Sequence, residues 1–227
     1  MTDSAKRIDL HSHTLLSDGV LLPSELLRRV SALDYGAFAI TDHVDWTNVA
    51  QVVEALLRLR AEQPADFPVT WLVGVEITHV APGSIAPLAR RARMLGADLV
   101  VVHGETPVEP VAEGTNGAAI DCPEVDILAH PGFLTAAEAR RAAERGCLIE
   151  ITARKGHSLT NGHVARVALE AGASMVVNTD THAPGDLIDL ATAERVALGA
   201  GLPPEAARAA TVETPQALVR RLLTRRA

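Results

Sequence analysis

Ile8-Asp9-Leu10-His11-Ser12-His13 is followed at once by Ser17-Asp18-Gly19, and its reading decides the fold. The apolar start and short length give a buried strand that ends in two histidines. Alternate side chains of a strand share a face. His11 and His13 therefore point the same way, off the end of a sheet. Two imidazoles at that spacing can hold one metal ion, because neutral imidazole nitrogen suits zinc, copper, iron and nickel. Alone, the pair reads equally well as two polar residues closing a strand.

The pattern then repeats. Ala37–Ile40 reads as a buried strand ending in Thr41-Asp42-His43. Trp71–Ile77 reads as a third strand with Glu76 near its end, and Leu99–Val102 as a fourth ending in His103-Gly104-Glu105. Val125–Ala129 ends in His130-Pro131-Gly132, Cys147–Ile151 runs to Thr152-Ala153-Arg154, and Ser174–Val177 runs to Asn178-Thr179-Asp180-Thr181-His182. Helices alternate with these strands. The first follows Pro23, with Leu26, Leu27, Val30 and Leu33 on one face. The second carries Val49, Val52, Val53, Leu56 and Leu57 and is broken by Pro64 and Pro68. A third runs from about Pro87 to Gly96. Thr135-Ala136-Ala137-Glu138 is a capping-box opening, and a further helix starts near Asn161. Residues 106–123 are the least legible segment, with a turn at Gly114–Gly117 and a short helix through Ile120. From Asp186 onward the chain reads as helical.

Strand-helix alternation implies a parallel sheet with right-handed crossovers. Seven strands in 227 residues, 48% hydrophobic but only 3% aromatic, point to an aliphatic barrel of the α/β class, with an open doubly wound sheet as the alternative. With no linker rich in Gly, Ser or Pro, residues 1–227 read as a single domain. In a barrel the C-terminal strand ends meet at one mouth, where such folds place their active sites.

The net charge of -7 argues against a chain whose main ligand is a nucleic-acid backbone. Cys122 and Cys147 lack C-x-x-C spacing, which leaves neither a disulfide framework nor a cysteine-type zinc site. A first strand near Arg7 leaves no room for a signal peptide, and no apolar run approaches the roughly 20 residues of a membrane span. A cytoplasmic location is the expectation.

The polar residues at the strand ends are His11, His13, Asp18, His43, Glu76, His103, His130, Asp180 and His182. Six of the nine histidines fall at a strand terminus or within five residues after one. With about four ligands per zinc and carboxylates able to bridge, nine groups suit two or three clustered ions. Three divalent ions against Asp18, Glu76 and Asp180 would leave a charge of about +3, a field that favours a phosphate dianion.

H-S-H at 11–13, S-D-G at 17–19, T-D-H at 41–43, G-V-E at 74–76, V-V-H-G at 101–104, A-H-P-G at 129–132 and D-T-H at 180–182 together resemble the PHP-domain family, the polymerase and histidinol phosphatase family. The resemblance runs over nearly the whole chain. It implies a distorted seven-stranded (β/α)7 barrel, TIM-barrel-like, with a trinuclear centre of zinc, manganese or iron. It implies that His11, His13, Glu76 and Asp180 hold one ion, that Glu76 bridges to a second held by His103 and His130, and that Asp18, His43 and His182 hold a third. The third site often has histidine where this chain has Asp18, a harder ligand that shifts the odds toward manganese or iron.

The implied reaction is hydrolysis of a phosphate ester by a metal-bridging hydroxide, with Glu76 at the reacting centre. The implied substrate is a small phosphomonoester such as histidinol phosphate or a nucleotide. Nucleic acid enters only as a nucleotide or short oligonucleotide substrate. Arg154 is the expected phosphate contact, since a guanidinium matches phosphate bidentately. Lys155, His157 and His79 are weaker candidates, each read as a loop residue; His163 is read as structural; Asp42 is read as orienting a ligand from behind.

An amidohydrolase-type dinuclear barrel is the nearest rival, but its bridging lysine has no counterpart, since Lys6 and Lys155 are the only lysines. A PHP-like RNA-binding subunit is the non-catalytic alternative. It would show a basic surface and lost ligands.

Overall fold

The structure, a computed structural model, describes residues 5–64 and 66–226. In chain order the elements are β1 (Ile8–Asp9), α1 (Pro23–Ala32), β2 (Ala37–Ile40), β3 (His43–Val44), α2 (Val49–Glu62), β4 (Thr70–Ile77), α3 (Pro82–Leu95), β5 (Leu99–His103), α4 (Thr115–Asp121), β6 (Ile127–Ala129), α5 (Ala136–Arg145), β7 (Leu148–Thr152), α6 (Asn161–Ala171), β8 (Met175–Asn178), α7 (Leu190–Gly199), α8 (Pro204–Arg208) and α9 (Thr214–Arg226). A π-helical turn, Ala209–Glu213, joins α8 to α9.

Every strand pairing is parallel, in the order β1-β2-β4-β5-β6-β7-β8. β3 continues β2 along β4 without a register change, Ile40 opposing Val73 and His43 opposing Glu76. The seven parallel strands form a nearly closed (β/α)7 barrel. Closure is made at the mouth, where Ser12 bridges Thr181 and the His13 amide donates to the Thr181 carbonyl at 2.8 Å. Lower down, side chains replace the ladder. The Leu10 amide donates to Asn178 Oδ1 at 2.9 Å, and the Thr179 amide donates to Asp9 Oδ1 at 3.1 Å.

Two apolar layers result. Outside the strands, Phe38, Ile40, Val73, Val75 and Ile149 pack against helical Leu26, Leu27, Leu56, Leu88 and Val164. Inside the barrel, Ala37, Ala39, Leu72, Leu99, Val101, Ile127 and Val176 meet Leu218, Val219 and Leu222 of α9. The last helix thus plugs the end opposite the mouth, each buried leucine contributing about 1.5–3 kcal/mol. Charge pairs fix it there: Arg226 Nη2 lies 2.8 Å from Asp98 Oδ2, and Arg221 Nη2 lies 3.2 Å from Asp126 Oδ1. Asp98 and Asp126 stand just before β5 and β6, and their side chains are almost wholly buried.

Several boundaries differ from the sequence reading: β1 ends at Asp9, not at His13, α4 covers most of the turn read at Gly114–Gly117, and two helix ends move. α1 stops at Ala32, and Leu33 is exposed, because Asp34 turns the chain with φ +56°. α3 begins at Pro82, not near Pro87. Either proline suits a first turn, where no amide partner is needed. Pro87 instead sits inside the helix and forfeits one bond. No helix among the described residues is long and apolar enough to cross a membrane.

Candidate metal centre

All nine strand-end residues reach the mouth. Glu76 stands at its middle, fully buried. Its Oε1 is 3.3 Å from His11 Nε2 and 3.5 Å from His130 Nε2. Its Oε2 is 2.8 Å from His43 Nδ1 and 3.5 Å from His13 Nε2. Asp180 Oδ1 approaches His13 Nε2 at 3.0 Å and His11 Nε2 at 3.7 Å. On one flank, Asp18 lies 3.2 Å from His182 Nε2 and 3.6 Å from His43 Nε2.

Three groupings bring ligand atoms within 4.8 Å of one another around these carboxylates: His13-Asp18-His43-His182, His11-Glu76-His130 and His11-His13-Asp180. His103 stands apart from Glu76, in groupings with His130 and His157 and with His79 and Glu109.

Local backbone choices create this convergence. Pairing of β1 stops at Asp9, and the strand alternation breaks between Leu10 and His11, so both face the interior. His130 (φ +26°) and Asp180 (φ +52°) hold positive φ, which turns each side chain off its strand into the mouth. Gly104 and Gly132 let the β5 and β6 loops lie in contact. A Cβ on Gly104 would stand 2.2 Å from the Ala129 carbonyl oxygen. His103 and His130 consequently meet edge to face with centroids 4.5 Å apart.

A supporting layer lies below. Glu150, fully buried on β7, accepts from His11 Nδ1 at 2.8 Å and from Asn178 Nδ2 at 2.9 Å. That bond fixes the tautomer that leaves His11 Nε2 facing Glu76. Asp42 accepts from the Thr14 amide (2.7 Å), the Thr14 hydroxyl (2.8 Å) and the Ser17 hydroxyl (2.7 Å). It therefore acts on the loop that presents Asp18, not on its neighbour His43. Glu150 was legible only as a carboxylate inside the apolar run Leu148–Ile151, a costly placement that itself signals a partner. The Glu150→Gln variant is expected to weaken metal binding about 10- to 100-fold while the fold persists. A competitive-chelator titration measures it, and unchanged affinity would remove Glu150 from the support of the centre.

The electrostatics fit cations. Burial opposes ionisation of Glu76, but His11 and His43 outweigh it and hold its carboxyl well below the usual range. Asp180 is buried too and is likewise held low, chiefly by His11 and His13. Burial pushes His13 down to about 4, so its imidazole is neutral, the form that ligates. Among the described residues, His11 Nε2, both nitrogens of His13 and both oxygens of Glu76 have no hydrogen-bond partner although all are buried. Buried polar atoms are rarely left so; divalent ions between them would satisfy His11 Nε2, both oxygens of Glu76 and one nitrogen of His13, since a neutral imidazole ligates through only one nitrogen.

Arg154 lies at the rim. Its Nη1 is 3.2 Å from Asp186 Oδ2 and its Nε is 4.0 Å from Asp180 Oδ2. With Lys155 it lines a cleft of about 680 Å³. His163 is structural, Nε2 donating to the Leu134 carbonyl at 2.8 Å.

His157 and His79 make contacts that their reading as loop residues did not supply. His157 is buried, stacks on His130 with centroids 4.2 Å apart, and pairs its Nδ1 with the Thr106 hydroxyl at 2.7 Å. His79 Nε2 is 3.0 Å from Glu109 Oε2. Glu109 lies in the illegible segment, and no motif or period pointed to it.

Residues 9–155 match the PHP domain. This chain belongs to the PHP-domain family. The family is one of metal-dependent phosphoesterases, which use divalent ions. Asp180 and His182 lie beyond the matched segment, and β8 brings them to it.

This PHP-domain protein is 46% identical over 217 residues to the uncharacterized protein MJ1295 of Methanocaldococcus jannaschii, covering 95% of this chain and 100% of that one. It is 27% identical over 174 residues to the 5'-3' exoribonuclease Rnm of Escherichia coli, covering 75% of this chain and 51% of that one. In fold it is similar to a chain of an archaeal ribonuclease P with mature tRNA, at TM-score 0.68 and 15% identity over 97% of this chain and 91% of that one. It is also similar to a histidinol phosphate phosphatase of Lactococcus lactis complexed with zinc, L-histidinol and phosphate, at TM-score 0.58 and 16% identity over 88% and 95%.

Proposed function

We propose that this protein hydrolyses a small phosphate ester at two or three divalent ions held by His11, His13, Asp18, His43, Glu76, His103, His130, Asp180 and His182. The observation that carries the reading is the set of buried imidazole and carboxylate atoms that converge at the mouth without partners. Bound ions would supply positive charge for phosphate oxygens and lower the pKa of a coordinated water toward about 7. The chain's own residues do the rest. Glu76 and Asp180 stay ionised at the centre, Glu150 and Asp42 hold ligand-bearing segments in place, and Arg154 meets the phosphate from the cleft beside Asp180.

A nucleotide suits the rim better than a purely aliphatic phosphoester. Trp46 follows β3 and Phe133 follows β6, and both are more than half exposed in a chain with few aromatics. An exposed ring at the mouth offers a base a stacking partner. The likeness to the ribonuclease P chain favours no binding role for this one, because the ligands that a purely binding barrel could dispense with are all present.

Protein purified without chelator should contain metal and release phosphate from a nucleotide. Dialysis against a chelator should abolish turnover, and manganese, zinc or iron should restore it. Full activity in metal-free protein would overturn the reading.

A further inference from the structure

Beyond the nine strand-end residues, the mouth holds a second set of ligand-type side chains around Glu109. Three imidazole nitrogens converge on its carboxylate. His79 Nε2 and His103 Nε2 each lie 3.0 Å from Oε2, and His157 Nε2 lies 3.4 Å from Oε1. The ligand atoms of His79, His103 and Glu109 all fall within 4.8 Å of one another.

Hydrogen bonds on the far side of one ring constrain the set. His103 Nδ1 faces the Gly104 carbonyl at 3.2 Å, and a carbonyl only accepts. In neutral His103 the proton therefore sits on Nδ1, and Nε2 turns a lone pair toward Glu109. An ionised carboxylate also offers only lone pairs. A proton on Nε2 or one cation seated among the three groups resolves that conflict, and the cation serves all three at once.

The backbone supports a fixed position for both outer residues. Glu109 lies in Thr106-Pro107-Val108-Glu109-Pro110. A proline fixes its own φ and holds the residue before it in extended conformations, which presents Glu109 on a stiff loop. His79 has φ +52°. The described non-glycine residues with positive φ are Asp34, His79, His130 and Asp180, and the last two place ligand atoms at the centre. Strain of this kind persists where the surroundings over-determine it. His79 shares it in the same mouth.

We propose that Glu109 and His79 are metal ligands, seating a divalent transition ion with His103 at the outer edge of the centre. The donor set of two imidazoles and one carboxylate suits zinc, iron, manganese or cobalt. His157, hydrogen-bonded to Thr106 at the root of the same loop, closes the inner side. The proposal rests on the metal-centre reading above, and its test separates the two.

The experiment compares wild type, Glu109→Gln, His79→Gln and Glu76→Gln by elemental analysis after loading with manganese or zinc. Competitive-chelator titration and the visible spectrum of the cobalt(II) form complete it. Circular dichroism and thermal melting of the metal-free proteins report folding. Both outer residues are partly exposed and outside helices and strands, so their variants should melt as wild type does.

Glu109→Gln and His79→Gln should each lose up to one ion per chain, or bind one ion at least about tenfold more weakly, and should alter the cobalt spectrum. Wild-type metal content, affinity and spectrum in both variants would overturn the proposal and leave Glu109 as an ion-pair partner of imidazolium groups. That outcome, with metal present in wild type and lost in Glu76→Gln, would leave the metal-centre reading intact. Wild type that takes up no metal under any loading would overturn both.

Discussion

Glu76→Gln should lower kcat/KM at least about 1000-fold, about 4 kcal/mol of transition-state stabilisation, and release one or more ions. The side chain keeps its volume, so the loss isolates charge and donor type. Each oxygen of Glu76 serves a different pair of imidazoles, His11 with His130 and His13 with His43. An amide offers one oxygen and no charge, and its NH2 would face nitrogens that need their lone pairs for a cation. The position is fully buried, so water cannot compensate. Elemental analysis and a phosphatase assay on the same preparation measure both effects. Wild-type turnover with wild-type metal content would remove Glu76 from the centre.

Gly132→Ala should destabilise the fold by about 3 kcal/mol or more, with Tm lower by about 6–12 °C at 2–4 °C per kcal/mol for a chain of this size. Two effects add. The residue has φ +65°, which costs an alanine about 1 kcal/mol. Its new Cβ would also stand 1.9 Å from the Glu105 carbonyl oxygen, a backbone atom that cannot rotate away. Gly172→Ala separates the two. That glycine ends α6 with φ +70°, and a Cβ there would meet nothing within 4 Å among the described residues, so only the conformational cost of about 1 kcal/mol applies. Equal melting shifts for the two variants would show that contact between the β5 and β6 loops does not hold the His103 and His130 ends together.

The barrel and its nine strand-end groups were legible because both follow from short-range order. Parallel strands buried on two faces write themselves as apolar runs, and a ligand at a strand terminus stands out against such a run, as at Val75-Glu76 and Ala129-His130. Family resemblance added the grouping of ligands but not their support. His79 lies in a loop and His157 opens a single 3-10 turn, His157–Thr160, and neither is long enough to carry a period that shows which way a side chain turns. Glu109 lies between two prolines in a segment without strand or helix pattern. Glu150 and Asp42 were visible as residues, but their partners, His11 and the Thr14–Ser17 loop, are far away along the chain.

The sequence by itself determined the alternation of strands and helices, the aliphatic core and the residue types waiting at each strand end, because periodicity and turn chemistry are local. Only the tertiary structure decided which of those groups share an atom's neighbourhood. Closure of β1 onto β8 at Ser12 and Thr181, the plug made by α9, and the positive φ of His79, His130 and Asp180 are long-range or strained features. They bring residues 11, 76, 130 and 180 within a few ångströms, and no stretch of chain short enough to read locally contains them together.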